Sequence, residues 1–183
     1  MPVLQFIYDH SYQRYLTALA LFESYVKQLL VYLERNNKSC PPDVIAQILV
    51  FYGSGKSRPD VQELINEILI PLYHIVEGSG VTFLVDGVDE CSRQEILEIL
   101  NGLRRLLELR SCKVFICCRE EVNILRRIPD ANHIRITAKD TKADLEVFVD
   151  NEIERMQYDS LLSSNKAVLN SIRCEILKRA DGM

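Results

Sequence analysis

The sequence predicts an α/β fold in which helices flank a mostly parallel sheet. Short apolar runs alternate along the chain with longer segments whose apolar residues recur at helical spacing. The run Val81–Val85 contains no charge and ends abruptly in acidic residues, which is typical of a strand buried on both faces of a parallel sheet. Strands separated by helices favour right-handed crossovers between parallel neighbours.

In the first third of the chain, Val3–Tyr8 is predicted to form a strand. Ser11 is predicted to cap a long helix whose apolar stripe continues to Leu33. The segment Asp43–Tyr52 fits either a short helix or a strand, and both remain open. A loop is expected over Gly53–Arg58.

Asp60 is predicted to cap the next helix, which Pro71 should kink or split. Beyond the Val81 strand, the predicted elements are a helix begun by a Ser92–Glu95 capping box, the strand Lys113–Cys118, a short helix within Arg119–Arg127, the strand His133–Ile136, and helices over Asp140–Met156 and Asn165–Ala180.

Composition excludes several classes of function. The chain has 183 residues and a net charge of −4, so it offers no basic surface for nucleic acid. It has no apolar stretch of about 20 residues, and its start lacks the charged and apolar regions of a signal peptide, so neither a signal peptide nor a membrane partner is predicted. Its six cysteines form no C-x-x-C pair, so zinc spacing is absent. The cysteine usage suits a reducing, cytoplasmic location, with Cys117 and Cys118 expected to be packed thiols.

The most informative residues follow the Val81 strand. Asp86, Asp89 and Glu90 lie within five positions of one another. Ligands of parallel sheets bind beyond the carboxyl ends of the strands, where Asp86 would hold a nucleotide-bound magnesium ion. The simpler alternative is that these carboxylates only end the strand and precede the next helix.

A phosphate loop is less clear. Gly53–Ser57 contains Gly-Lys-Ser, but a G-x-x-x-x-G-K-[ST] motif needs glycine where Val50 stands. Arg58 precedes a proline, which disfavours a helix beginning at Lys56. The two readings left open are a capping loop and a working phosphate loop preceded by a strand over Ile48–Tyr52.

The chain resembles the NACHT domain of the STAND class of P-loop NTPases, in its fungal-type, nephrocystin-like branch. The segment Phe83–Cys91 resembles that branch's Walker B motif, with Gly87 where a plain Walker B has glutamate. The segment Lys113–Glu120 resembles the following strand, which ends in the sensor arginine, here Arg119. His133–Ile136 and the helix after it resemble the next strand and helix of the family.

The resemblance implies a role for each residue. Asp86 would be the magnesium ligand, through a water molecule, while Asp89 and Glu90 would orient the attacking water. Arg119 would sense the γ-phosphate, or would simply be a surface arginine paired with a neighbouring carboxylate. The family's cofactors are Mg²⁺ with ATP or GTP, and its NTPase modules self-associate.

The resemblance also implies that the first strand and the Walker A loop are missing. The expected architecture is therefore a partial P-loop NTPase core of the AAA-like, three-layer α-β-α type over residues 1–158, with 159–183 beginning a following helical region. Such a fragment of a signalling NTPase should bind nucleotide weakly or not at all, have an unpaired sheet edge and be poorly stable. Whether the chain is an enzyme stays open, and the alternative is an active small P-loop or kinase-like enzyme using Gly53–Ser57.

Overall fold

The computed structural model describes residues 1–9, 11–12, 16–53, 58–76, 78, 80–119, 122, 124–159, 161–162 and 165–180. The chain forms two compact units, Met1–Ala131 and Asn132–Met183. The domain boundary expected after residue 158 stays a prediction. No helix in the described ranges is both long enough and apolar enough to span a bilayer.

The first unit contains a parallel sheet of three strands: β1 (Val3–Ile7), β2 (Val81–Asp86) and β3 (Cys112–Cys117). Their order is β1-β2-β3, with β2 in the centre. The α/β class and all three of these strands were predicted. The apolar run of β2 is explained by its position, since a central strand has neighbours at both edges and a helix layer on one face.

Helices connect and follow the strands. They are α1 (Ala18–Arg35), α2 (Pro42–Tyr52), α3 (Val61–Leu64), α4 (Ile70–Val76) and α5 (Arg93–Leu107) in the first unit, and α6 (Ala138–Tyr158) and α7 (Lys166–Arg179) in the second. Short 3₁₀ turns cover Val88–Glu90 and Ile124–Arg126. Between α6 and α7, Arg173 Nε donates to Asp150 Oδ1 at 2.5 Å.

The helix α1 begins later than predicted. Its N-cap is Thr17, whose Oγ1 accepts the Ala20 N–H at 3.1 Å, so the start predicted at Ser11 was wrong. The carboxylate of Glu95 accepts the Ala18 N–H at 2.6 Å. This contact occupies Glu95, so only half of the expected capping box forms, with Ser92 Oγ accepting the Glu95 N–H. A cap supplied by a residue 77 positions away leaves no local pattern.

The ambiguous segment is helical. α2 starts with Pro42 at its first position, where the missing N–H is not needed, and ends before Gly53. Around Pro71 the helix neither ends nor breaks but widens into a π turn over Ile65–Leu69, in which the Ile70 N–H bonds to the Ile65 carbonyl. Such a turn accommodates the irregularity that a proline brings to a helix.

The strand predicted at His133–Ile136 was wrong, because these residues pair with no strand in the described part of the chain. Ile134 is 85% exposed and Ile136 is 73% exposed. Their alternating pattern satisfies the sequence rule for a strand, but a strand also needs a neighbour for its backbone hydrogen bonds. Among the described residues, the sheet ends at β3.

The two faces of the sheet differ sharply. Residues paired across parallel strands share a face, so Leu4, Phe83 and Val114 point toward the helices, where Leu4 and Phe83 are fully buried. α1 contacts β1, α5 contacts β3, and α1 contacts α5, which places both helices on this side.

The opposite side we call the open sheet face, and it consists of Val3, Gln5, Ile7, Thr82, Leu84, Asp86, Lys113, Phe115 and Cys117, of which only Thr82, on the central strand, is buried. Val3, Ile7 and Phe115 are each more than half exposed. Cys117 is also exposed, so the prediction that it is a packed thiol was wrong, whereas Cys118 is half-buried.

Candidate functional site

Asp86 is the last residue of β2, at the carboxyl edge of the sheet. The backbone here is held from both sides, since the Tyr8 N–H donates to the Asp86 carbonyl at 2.9 Å and the Gly87 N–H donates to the Cys117 carbonyl at 3.1 Å. The half-exposed Asp86 carboxylate accepts no hydrogen bond from any side chain that the structure describes. It is therefore available to a ligand arriving at this edge.

Gly87 turns the chain from the strand into the acidic segment. Its φ is 74°, in the left-handed region that favours glycine, and a Cβ there would lie 2.7 Å from the Tyr8 carbonyl oxygen. The 3₁₀ turn Val88–Glu90 follows directly. Glycine at position 87 thus has a physical cause, because a side chain there would collide with the Tyr8 backbone just beyond β1.

Arg119 joins the acidic turn from the neighbouring strand. It lies two residues beyond β3, and its backbone N–H donates to Asp89 Oδ1 at 3.3 Å. Its Nε lies 3.4 Å from Asp89 Oδ2, and a terminal nitrogen lies 3.8 Å from Glu90 Oε1. The Asp89 side chain is 10% exposed and the Arg119 side chain 73% exposed, so the pair has one anchored member and one reaching into solvent.

All four residues predicted from the sequence therefore lie at one edge of the sheet, three of them in mutual contact. The pairing of Arg119 with Asp89 matches the ordinary surface-pair alternative in its geometry, and such pairs contribute about 0–1 kcal/mol. The guanidinium lies mostly in solvent, but the Asp89 carboxylate that it pairs with is mostly buried and would lose a counter-charge if the arginine moved away.

A buried layer supports this edge and was not predicted. Tyr8 lies one residue beyond β1, and its hydroxyl donates to the Thr17 carbonyl at 3.0 Å. Burial, with the nearby Cys91 and Glu95, raises the pKa of Tyr8 far above its usual value. The only signal in the sequence is a polar tip at the end of an apolar strand, which does not distinguish a support from a surface tyrosine.

The carboxyl edge of the sheet offers one protein ligand for a hard cation such as magnesium, Asp86, rather than a complete metal centre. In the described ranges no group of three or more His, Cys, Asp and Glu side chains converges in a metal-binding arrangement. Asp86 offers carboxylate oxygen, the donor type that magnesium prefers, while Asp89 and Glu90 are engaged by Arg119. Residues 54–57 of the glycine-rich segment, including Lys56, lie outside the described residues.

Three thiols near the sheet predict a loss of stability at alkaline pH. Burial is the main cause that raises the pKa of Cys91 and Cys112 to about 12 and that of Cys118 to about 11, from an ordinary value of 9.0. Because the folded state keeps these thiols protonated while the unfolded chain ionises above 9.0, their contribution is complete below that pH and falls between about 9 and 12. Urea midpoints should decline over this range.

The variant Cys91→Ala is the matching control, since it removes one of these groups. We expect its urea midpoint to fall less steeply with pH than that of the unmodified chain. Identical slopes for the two proteins would contradict the assignment of Cys91 to this effect.

The chain was compared with families, curated proteins and solved structures. A family model described as Nephrocystin 3, N-terminal, matches residues 1–119. No curated protein and no solved structure matches. The matched range contains all three strands and all four candidate site residues, and its last residue is Arg119.

Proposed function

We propose a function on the premise that this chain belongs to the nephrocystin 3 N-terminal family. We propose that the chain is the part of a NACHT-type module, of the STAND class of signalling NTPases, that carries the acidic residues and the sensor arginine. In this proposal the carboxyl edge of the sheet faces a magnesium-bound nucleoside triphosphate. The chain does not turn over nucleotide by itself, and the module self-associates in the cytoplasm when it acts.

The observation that carries the proposal is the meeting of Arg119 with Asp89 and Glu90 beside Asp86. These residues come from the ends of two adjacent parallel strands, which is where α/β sheets bind ligands. A cation and three carboxylates at one edge suit a ligand that carries both signs, such as a metal-bound phosphate.

Each residue then has a distinct task. Asp86, which has no donor among the described side chains, would hold magnesium through water. Bound magnesium would neutralise phosphate charge. Asp89 and Glu90 orient the attacking water, and Arg119 leaves its carboxylate partners to contact the γ-phosphate. Arg119 is 73% exposed, so its guanidinium has room to move, and the mostly buried Asp89 keeps the hydrogen bond from the Arg119 backbone N–H when it does.

Phosphate binding needs further donors. Three carboxylates repel a triphosphate, and the described residues add one arginine but no glycine-rich cradle of backbone amides. The outer edge of β3 has no strand partner among the described residues. We propose that a strand carrying the phosphate loop pairs with this edge in the complete module.

The alternative of a small P-loop enzyme has less support. It requires a strand leading into Gly53–Ser57, whereas Ile48–Tyr52 is the last part of the helix α2. A phosphate loop connects a strand to a helix, so that the preceding strand anchors it at the sheet edge. No observation favours this alternative.

Titration with Mg–ATP and Mg–GTP, followed by backbone amide NMR shifts, tests the proposal. We expect small, unsaturated shifts confined to Asp86–Glu90 and Arg119, because the carboxylates repel phosphate without a cradle to offset them. Asp86→Asn should remove the magnesium dependence of these shifts, and Asp130→Asn, the same change at an exposed site, should not.

Lys56→Ala separates the two functions. Under the proposal this change leaves the shifts as they were. Tight, saturable binding that is lost in Lys56→Ala would establish the P-loop enzyme instead. Shifts that spread evenly over the chain, or that Asp86→Asn leaves intact, would refute a nucleotide site at this edge.

A further inference from the structure

The helix α2 presents an apolar face to solvent. Its only charged residue is Asp43, and its exposed residues other than Asp43 are Pro42, Ile45, Ala46, Leu49, Val50 and Tyr52. Leu49 is 66% exposed, while only Val44 is fully buried. A helix that is apolar on nearly all sides is usually covered on all sides. In a single chain the apolar outward side of α2 is therefore left exposed to solvent.

The open sheet face is likewise an apolar surface left exposed to solvent. Parallel sheets are almost always covered by helices on both faces, yet here Val3, Ile7 and Phe115 are 55%, 63% and 57% exposed. Leu84 lies between them on the central strand. Within the described part of the first unit this face is left exposed, and α2, which packs through one side on the π turn Ile65–Leu69, leaves its outward side exposed as well.

We propose that α2 of one copy of this chain packs on the open sheet face of a second copy. Eleven helical residues extend about 16 Å, and strands of five to six residues extend about 16–20 Å, so the two surfaces match in length. Helix on sheet is also the standard layer arrangement of α/β proteins.

Charge agrees with this pairing. α2 carries a single acidic residue, Asp43, in its first turn, and no basic residue. On the open sheet face, Lys113 is exposed at the amino end of β3. With the N-terminal end of α2 at the amino edge of the sheet, Asp43 faces Lys113 and the apolar residues of α2 lie over Leu84 and Phe115.

The contact joins two different surfaces, so it is heterologous. Each copy has one α2 and one open sheet face, and a copy bound through α2 still offers its own sheet face to another. Association therefore continues beyond a dimer, into rings or open chains. This inference names the surfaces of the proposed self-association and rests on that part of the proposed function. Apart from Asp86 at the carboxyl end of the sheet face, neither surface contains a residue of the candidate nucleotide site, so sedimentation tests it separately from the nucleotide titration.

Complementation between two variants tests the proposal. Leu49→Glu places a charge on α2, and Phe115→Glu places one on the sheet face; both side chains are exposed, so each variant should fold, as circular dichroism would verify. In sedimentation velocity we expect the unmodified chain to form species larger than dimers as concentration rises, and each variant alone to stay monomeric.

The decisive sample is an equimolar mixture of the two variants. Phe115→Glu retains an intact α2 and Leu49→Glu retains an intact sheet face, so one good contact forms and the mixture stops at a heterodimer. Val147→Glu, at a 60% exposed position on α6, is the matched control and should associate like the unmodified chain.

Three results would overturn the proposal. In the first, the unmodified chain would stay monomeric at every concentration, and both surfaces would be left to other partners. In the second, each variant would still associate alone, as expected if chains paired through the edge of β3. In the third, the mixture would stay monomeric although the unmodified chain associates, which would indicate a contact between two like surfaces.

Discussion

Phe83→Ala is expected to lower the free energy of unfolding by about 3–5 kcal/mol, a large share of the roughly 5–15 kcal/mol that holds a domain folded. Phe83 is fully buried in the central strand. Its ring lies edge-on to Tyr25, with centroids 5.0 Å apart, and the Tyr25 hydroxyl donates to the carbonyl of the next residue, Leu84, at 2.9 Å. Truncation leaves a cavity between β2 and α1. Urea denaturation measures the loss.

Phe115→Ala provides the matched comparison, because it makes the same substitution one strand away. Phe115 is paired with Leu84 and lies on the open sheet face, where it is 57% exposed. We expect a loss well under half of that for Phe83→Ala when both are measured at low protein concentration. Equal losses would mean that both faces of the sheet are packed, and would remove the open sheet face as a feature of the molecule.

The contrast between these phenylalanines shows the limit of sequence reasoning about the sheet. Both stand in short apolar runs, which predicted strands correctly in β2 and β3. An apolar run indicates that a strand suits burial on both faces, but it does not show whether a second layer is present. The exposed Cys117 was predicted to be packed for the same reason.

The candidate site was predictable because it follows from topology. Once β2 and β3 are parallel neighbours, Asp86 and Arg119 must end at the same edge, whatever lies between them in sequence. The supporting contacts were not predictable. Glu95 caps α1 from 77 positions away, and the Tyr8 hydroxyl contacts Thr17, nine positions further on. No local pattern encodes such pairs.

The turn after Asp86 leads to the second large prediction. Gly87→Ala is expected to cost about 2–4 kcal/mol of unfolding free energy, which combines left-handed backbone strain with a collision against the Tyr8 backbone just beyond β1. The added Cβ would lie 2.7 Å from the Tyr8 carbonyl oxygen, and that oxygen belongs to backbone, which cannot rotate away. Thermal and urea unfolding give the size of the loss.

Gly80→Ala separates the two causes. Gly80 also has a left-handed φ, of 68°, but its added Cβ would meet the Ser111 carbonyl oxygen at the milder distance of 3.2 Å. We expect it to cost about 1–2 kcal/mol, mostly the left-handed strain with a smaller contribution from the close contact. If both glycine variants lose the same amount, the approach of β1 to position 87 contributes nothing, and the stated reason for glycine there is wrong.

Gly87→Glu extends the same argument to function. Under the proposed function it would place a glutamate directly after Asp86, as in a plain Walker B motif, and the pattern alone would then predict a stronger NTPase site. The geometry predicts the reverse, because a longer side chain meets the same Tyr8 carbonyl and displaces the turn that sets Asp89 and Glu90 beside Arg119. We expect a less stable protein without added nucleotide binding. A stable variant with stronger binding would show that position 87 tolerates a side chain, and that the acidic turn is not held by the contact with β1.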